Sequence, residues 1–234
     1  MKKSPAKRSA AARKKKAAAV KAMLGAARPT FHYEMELRQA GHQVVAGVDE
    51  AGRGPLAGPV SVAAVILPDD FTHEELHDSK QLNELRRERI YDELMGRADV
   101  LWCHVMVEVD EIDRINILQA TRMGMRRAVQ GLSMLPHAVL IDGTPVPDFP
   151  VPHRALVKGD ALSLSIAAAS VIAKVARDRL MRQAALDYPV YGFDQHKGYG
   201  TPEHLEALRR HGPCPLHRRS FSPVSQLTFA FDDL

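Results

Sequence analysis

Three short apolar segments of the chain each run directly into an acidic residue, and this pattern constrains the fold more than any other feature. The segments with their acids are Val44–Val48 before Asp49-Glu50, Ala138–Ile141 before Asp142, and Arg154–Val157 before Lys158-Gly159-Asp160. Apolar runs of this length, rich in valine and isoleucine, predict buried strands. Acids at the ends of central strands can converge at one edge of a sheet, where α/β proteins place their sites.

The order of the remaining segments predicts the fold class. Two further apolar runs, Val60–Leu67 and Val100–Val107, predict strands. Helical patterns or helix start signals mark residues 83–96, 110–132, 162–185 and 201–212, and a polar loop rich in Gly and Tyr spans 187–200. Strands in succession, followed by strands that alternate with helices, predict an α/β domain with a mixed central sheet flanked by helices.

Charge is spread unevenly along the 234 residues. The first 28 residues hold ten of the 32 Lys and Arg residues and no acid, so the remainder carries 22 bases against 28 acids. We expect residues 1–30 to form a basic, low-complexity, disordered tail that is drawn to a polyanion. The alternatives are a solvated leader that only aids solubility and an organelle transit peptide.

Location and oligomeric state follow from weaker features. No apolar run reaches the roughly 18 residues of a membrane-spanning helix, and the N-terminus lacks the Leu-rich block of a secretory signal. The two cysteines, Cys103 and Cys214, are far apart and form no framework, which favours a reducing compartment. We therefore expect a cytoplasmic protein, without a membrane partner, that acts as a monomer.

The acids that follow the strands predict a metal centre. Single Asp residues between apolar strands and glycine are costly to desolvate unless something neutralises them. Oxygen ligands of this kind suit Mg²⁺ or Mn²⁺, and two such ions about 4 Å apart can drive an in-line phosphodiester displacement. The predicted ligands and catalytic residues are Asp49, Glu50, Asp142 and Asp160. As an alternative, Asp160 could cap the following helix and Asp142-Gly143 could be only a turn.

The first pair of acids is followed by a glycine-rich basic turn. Neighbouring side chains of a strand point to opposite faces, so Asp49 and Glu50 cannot both face one metal from a regular strand. We expect the backbone to bend at Ala51-Gly52-Arg53-Gly54. Glycines there let backbone amides approach a phosphate, and Arg53 adds charge-assisted hydrogen bonds. The segment lacks the Lys-Ser/Thr end of a nucleotide-binding P-loop.

These residues, with others in order and spacing, carry a resemblance to a known family. The chain resembles the type 2 ribonuclease H family, in particular bacterial ribonuclease HII, from about Val44 to Val224. The matching segments include 48–60, Asp78-Ser79-Lys80, Glu111-Ile112-Asp113, Ile141-Asp142-Gly143, Lys158-Gly159-Asp160, Ile166–Ser170 with 173–175, Tyr191-Gly192-Phe193, 196–201 and Ser220-Phe221 with Pro223-Val224. Thr144 follows Asp142-Gly143 where an Asn is more usual in the family.

The resemblance implies a ribonuclease H-like catalytic domain at residues 31–224 with a small C-terminal helical part, and a tail at 225–234. It implies cleavage of the RNA strand of RNA–DNA hybrids and cleavage 5′ to single ribonucleotides in duplex DNA, leaving 3′-hydroxyl and 5′-phosphate ends. The four acids match the family's metal ligands. Gly52, Arg53 and Gly54 match the element that contacts the ribose 2′-hydroxyl, and Tyr199 matches a tyrosine that stacks at the junction.

Other residues are candidates with a plain alternative. Lys80, Lys158, Lys174 and Lys197 are candidate phosphate contacts or solvated lysines. A second acid cluster at Glu108, Asp110, Glu111 and Asp113 is predicted to begin a helix rather than to bind metal. The spacing of His196, His204, His211 and His217 with Cys214 fits no standard zinc site. The segment Gln226–Phe231 either docks on a DNA sliding clamp or packs on its own domain.

Two rival functions stay open from the sequence. A different nuclease or strand-transferase, such as an integrase or junction resolvase, shares clustered acids but lacks the Gly-Arg-Gly turn combined with the Lys-Gly-Tyr-Gly loop. A non-catalytic binder of hybrids would gain affinity by losing negative charge beside phosphates, so four intact acids argue against it.

Overall fold

A five-stranded mixed sheet forms the centre of the computed structural model, which describes residues 28–76 and 82–226. The strands are β1 (Val45–Ala51), β2 (Val60–Ile66), β3 (Leu101–Val107), β4 (Ala138–Asp142) and β5 (His153–Leu156). They lie in the order β3-β2-β1-β4-β5. The pairs β1–β2 and β2–β3 are antiparallel, whereas β1–β4 and β4–β5 are parallel. The predicted α/β fold with a mixed sheet is confirmed.

Seven helices and two short 3₁₀ turns are found among the described residues. The helices are α1 (His32–Gln39), α2 (Glu84–Gly96), α3 (Val109–Ile115), α4 (Ile117–Gln130), α5 (Leu164–Asp187), α6 (Phe193–His196) and α7 (Pro202–His211). The 3₁₀ turns are Gly159–Ala161 and Pro189–Tyr191. None of these helices is long and apolar enough to cross a membrane.

The sheet is covered on both faces, which explains why every residue of β2 and the first five residues of β1 are buried. Helix α5 packs on one face through small side chains such as Ala168, and α4 packs on the other through Met125 and Ala128. The contact with α5 is very close, because a Cβ atom at Gly47 would lie 2.2 Å from the backbone carbon of Ser165. Glycine and alanine at this interface therefore bring the long helix directly against β1.

Helix starts carry the expected side-chain caps. Asn83, Ser163 and Thr201 each accept a hydrogen bond from the backbone N–H three residues further on, at the starts of α2, α5 and α7. The prediction of a single helix over 110–132 was wrong, because Asn116 divides this stretch into two helices, α3 and α4. Asn116 has φ +67° and accepts hydrogen bonds from the N–H groups of Leu118 and Gln119, so it caps a new helix.

Two other differences concern the N-terminal part of the domain. Helix α1 was not predicted; its buried Glu34 accepts hydrogen bonds from the hydroxyls of Ser163 and Ser165, which dock it at the start of α5. Strand β1 was predicted over Val44–Val48, with the two acids directly after it. In the structure the strand continues through both acids to Ala51.

Several sequence predictions lie outside the described residues. They concern the basic tail up to residue 27, Lys80 with the neighbouring Asp78-Ser79, and residues 227–231 of the segment proposed to dock on a clamp. At the other end of the described chain, α6, α7 and residues 212–226 form the small C-terminal helical part that was expected.

Candidate active site

Parallel strands bring the predicted acids to one edge of the sheet. Val48 of β1 is in register with Ile141 of β4, and Ile141 with Ala155 of β5, so the carboxyl ends of the three strands lie together. Asp49 directly follows Val48, and Asp142 ends β4. Asp160 lies in the 3₁₀ turn that follows β5.

Asp49 is the buried centre of this group, with 3% of its surface exposed. Burial raises its pKa well above the ordinary value, and the charges of Glu50, Asp142 and Asp160 raise the pKa further. All three of the other predicted acids therefore lie near enough to act on Asp49. The backbone N–H of Glu50 donates to Oδ1 of Asp49 at 2.7 Å and partly offsets this destabilisation of the ionised form.

Asp142 and Asp160 are joined through the turn between β5 and α5. The backbone N–H of Gly159 donates to Oδ1 of Asp142 at 2.7 Å. A Cβ atom at Gly159 would lie 2.6 Å from Cδ1 of Ile166, so a larger residue here would have to displace the buried side chain of Ile166. Asp160 is 3% exposed and does not cap α5, because Ser163 does so. The alternative that Asp160 is only a helix cap is thereby excluded.

Glu50 lies beside Arg53, which donates to its Oε1 at 3.2 Å. Both acids of β1 belong to regular antiparallel pairing with β2, Asp49 opposite Ala63 and Glu50 opposite Val62. The expected bend comes after this pairing, at Gly52 with φ +91°. Within residues 28–76 and 82–226, no three Asp, Glu, His or Cys side chains are already gathered as a set of metal ligands.

A cleft of about 260 Å³ extends from one of the acids, Glu50, to the predicted recognition residues. Its lining residues are Glu50, Ala51, Gly52, Arg53, Gly54, Ser170, Lys174 and Tyr199. The ring of Tyr199 is 46% exposed, and its Cε1 atom lies 3.7 Å from the position of a Cβ atom on Gly54. The glycine-rich turn and the tyrosine thus lie side by side in the lining of one cleft, which also contains Glu50 of the acid cluster.

The predicted lysines are placed differently from one another. Lys174 lines the cleft and is hydrogen-bonded to Asp178 at 2.6 Å; its pKa is lowered chiefly by burial. Lys158 is exposed, has φ +60° and precedes Asp160 by two residues. Lys197 is partly buried, and its ammonium group donates to the backbone carbonyl of Asp194. Of these three lysines, Lys174 alone is part of the cleft lining.

Sequence reasoning missed three residues at the site. Ser170 is buried, lines the cleft and precedes Lys174 by one helical turn, a spacing that could have revealed it. Arg177 and Arg218 are fully buried and donate to backbone carbonyls of the turn that follows Glu50. No periodic pattern in the sequence marks these two arginines.

The other candidate clusters are structural. The acids Asp110 and Glu111 lie in the first turn of α3, as predicted, and Asp113 accepts hydrogen bonds from the N–H groups of Arg219 and Ser220. His204 and His217 are buried and hydrogen-bonded to each other, with 3.0 Å between their Nε2 atoms. Neither cluster holds a group of metal ligands in the described part of the chain.

Fold and site together define a nuclease of the ribonuclease H-like class, with acids at the carboxyl edge of a mixed sheet. The sequence profile described as Ribonuclease HII matches residues 46–224. The chain is also 59% identical over 184 residues to a Ribonuclease HII from Acidovorax sp. (strain JS42), covering 78% of this chain and 87% of that protein. The chain therefore belongs to the ribonuclease HII family.

Solved structures with the same fold agree with this assignment. The ribonuclease H2 from Pyrococcus horikoshii OT3 matches with a TM-score of 0.68 and 27% identity, over 82% of this chain and 100% of that one. A structure of the PCNA:RNase HII complex from Archaeoglobus fulgidus matches with a TM-score of 0.64 and 24% identity, over 76% and 95% of the two chains. The second match shows the fold alone.

Membership of the family defines the chemistry at a coarse level. The protein is a hydrolytic endoribonuclease that acts on the RNA of RNA–DNA hybrids, in a family whose enzymes use divalent metal ions.

Proposed function

We propose that this protein cuts the RNA strand of RNA–DNA hybrids and also cuts 5′ to single ribonucleotides embedded in duplex DNA, by two-metal-ion catalysis that leaves 3′-hydroxyl and 5′-phosphate ends. The observation that carries the proposal is the position of Asp49, buried among three other acids beside a cleft walled by Gly52–Gly54 and Tyr199. Cations would neutralise this cluster of carboxylates, and the cleft offers groups that can bind a ribose.

The residues fit a divalent metal centre. Their donor atoms are all carboxylate oxygens, which suits Mg²⁺ or Mn²⁺. Burial and the charges of the three neighbouring acids raise the pKa of Asp49, and a bound cation would stabilise its charged form. The ligands would be Asp49, Glu50, Asp142 and Asp160. When bound, two ions would activate the attacking water and stabilise the leaving oxygen.

The chain's own residues orient the substrate. Arg53, which is half exposed, places a guanidinium where it can bind a phosphate of the strand to be cut. Lys174 adds a second positive charge to the cleft. Tyr199 presents an exposed apolar ring with a hydroxyl at its tip, a combination suited to stacking on a sugar or base while hydrogen-bonding a 2′-hydroxyl. Lys158, Lys197 and Lys80 are proposed to contact flanking phosphates.

The test is cleavage of a labelled DNA duplex that carries one ribonucleotide, in Mg²⁺, in Mn²⁺ and in chelator, with an all-DNA duplex as control. We expect one metal-dependent cut 5′ to the ribonucleotide and none in the control. A bound but uncut duplex would indicate the non-catalytic binder instead. Cleavage of the all-DNA control would indicate a nuclease without sugar selectivity, such as a resolvase-like enzyme.

Two further contacts are proposed for the ends of the chain. The basic tail is proposed to bind phosphates non-specifically, so deletion of residues 1–28 should weaken binding and flatten its dependence on salt. An unchanged salt slope would leave the tail without a binding role.

The segment Gln226–Phe231 is proposed to dock on a sliding clamp, in line with the clamp complex of the archaeal structural neighbour. A chain that ends at Gln226 should then lose binding to the clamp while retaining cleavage. The nuclease itself is proposed to act as a monomer, which sedimentation would test.

A further inference from the structure

Two arginines are buried beneath the turn that carries Gly52, Arg53 and Gly54. Arg218 has no exposed surface and Arg177 has 1%. Within the described ranges neither guanidinium forms an ion pair with an acid. Both donate hydrogen bonds to backbone carbonyls instead. A buried guanidinium without a carboxylate partner is costly unless its N–H groups are satisfied. This arrangement therefore calls for an explanation beyond packing.

The hydrogen bonds of both arginines converge on one short segment. Arg218 donates five hydrogen bonds of 2.6 to 2.9 Å, and its four acceptors are the carbonyls of Gly52, Arg53, Pro55 and Gly58. Arg177 donates to the carbonyls of Pro59 and Ala57 at 2.9 and 3.0 Å. Six of the eight carbonyl groups of residues 52–59 thus accept hydrogen bonds from two positively charged side chains.

The direction of these carbonyls fixes the direction of the neighbouring amides. The peptide bonds between Gly52 and Arg53 and between Arg53 and Gly54 are trans, since the single cis bond of the described chain is at Ser222-Pro223. In a trans peptide the N–H points opposite to the C=O. With the carbonyls of Gly52 and Arg53 held inward, the N–H groups of Arg53 and Gly54 point away from the guanidinium, on the part of the turn that lines the cleft.

Arg177 also connects the turn to the segment that carries Tyr199. Its Nη1 donates to the carbonyl of Lys197 at 2.9 Å, two residues before Tyr199. The approach is possible because Gly52 lacks a side chain; a Cβ atom there would lie 1.9 Å from Nε of Arg177. The same buried guanidinium therefore holds both the segment of the glycine-rich turn and the segment that carries Tyr199.

We propose that Arg218 and Arg177 are positioning residues for sugar recognition: they hold the peptide planes of residues 52–54 so that the outward amides and Tyr199 meet the ribose in a fixed geometry. This inference rests on the proposed function. Lysine cannot replace either residue in this role, because it is a point charge with three donors whereas arginine is a planar fork with five. Burial and then the neighbouring Arg177 lower the pKa of Arg218 to about 9, so it stays charged at neutral pH.

The test compares Arg218→Lys and Arg177→Lys with the matched variant Arg126→Lys. Arg126 also donates to two carbonyls, those of Pro147 and Asp148, but in a loop that does not line the cleft. The dissociation constants of a duplex with one ribonucleotide and of the same all-DNA duplex are measured by fluorescence anisotropy in Ca²⁺. Circular dichroism reports folding of each variant.

The preference for the ribonucleotide duplex is the ratio of the two dissociation constants. In Arg218→Lys and Arg177→Lys, the two cleft variants, we expect this preference to fall about tenfold, which is the effect of one misaligned polar contact. Binding of the all-DNA duplex should stay within about twofold of the wild-type value. Arg126→Lys should keep the wild-type ratio. Folded cleft variants with an unchanged ratio would overturn the assignment. Unfolding of both would overturn it as well, since the arginines would then hold the whole domain. A wild-type protein without any preference would instead refute the proposed function itself.

Discussion

Oδ1 of Asp142 accepts the backbone N–H of Gly159 at 2.7 Å, and this bond ties the end of β4 to the turn that carries Asp160. The bond fixes Asp142 and Asp160 relative to each other, and Asp49 lies on β1, the strand next to β4. Rigid placement of this kind reduces the reorganisation that catalysis would otherwise require. The backbone of this turn thus helps to set the arrangement of the acids.

We expect Asp49→Asn to abolish cleavage, by at least about 10³-fold, because it removes the negative charge and one of the two oxygens of the central ligand of the proposed metal centre. The variant should fold normally and be at least as stable as the wild type in chelator, since burial and three neighbouring acids already disfavour the charged carboxylate. Cleavage assays with thermal unfolding measure both effects. Asp110→Asn, in the exposed first turn of α3, is the control and should change neither. Near-normal cleavage by Asp49→Asn would remove the metal mechanism.

Tyr199→Ala should impair cleavage at a lone ribonucleotide about tenfold more than in a long hybrid, because only the lone site depends on a single ribose contact. The ring is 46% exposed, so its removal should leave the fold intact. Rates on the two substrates, measured side by side, give the ratio. Val190→Ala, an exposed residue of the neighbouring 3₁₀ turn, serves as control. Equal losses on both substrates would mean that Tyr199 does not read the junction.

Gly52→Ala should reduce cleavage strongly and also destabilise the protein, because the new methyl group would lie 1.9 Å from Nε of Arg177. Gly41→Ala separates this collision from backbone strain. Gly41 has a similar φ, +101° against +91°, but nothing lies within 4 Å of its Cβ position. It should cost only the strain of a left-handed residue, about 1 kcal/mol, without loss of cleavage. Equal effects of the two variants would contradict the close packing of Arg177 against the turn.

The sequence predicts those parts of the site that depend on local signals. The strands before Asp49 and Asp142, the helix start at Thr201-Pro202 and the position of Asp160 could be read from short-range patterns, and the structure has them within a few residues. The break at Asn116 was missed, because apolar periodicity continues across it while the cap depends on a left-handed backbone. The role of Arg218 could not be found, since its acceptors lie up to 166 residues away.

Acid should destabilise the C-terminal part through a pair of buried histidines. Nδ1 of His204 lies 2.8 Å from the carbonyl of Tyr199 and so carries a proton, which leaves its Nε2 to accept from Nε2 of His217 at 3.0 Å. Nδ1 of His217 accepts the backbone N–H of Cys214 at 3.0 Å. Both rings are therefore neutral, and a proton added to either one breaks the chain of bonds. Burial lowers the pKa of His204, and His196, which stacks on it with 4.4 Å between the ring centroids, lowers that pKa further.

The direction of the pH effect follows from the pKa values. Burial and then His204 lower the pKa of His217 to about 4, whereas in the unfolded chain it is near the usual value of 6.5. Between these values the unfolded state binds more protons, so stability is full above pH 6.5 and falls toward pH 4, by up to about 3 kcal/mol. Urea unfolding at pH 7.5, 6 and 5 measures this loss. The dependence of the free energy of unfolding on pH should become weaker in His217→Gln. It should persist in His32→Gln, where the histidine is exposed. A slope unchanged in His217→Gln would show that other groups cause the acid sensitivity.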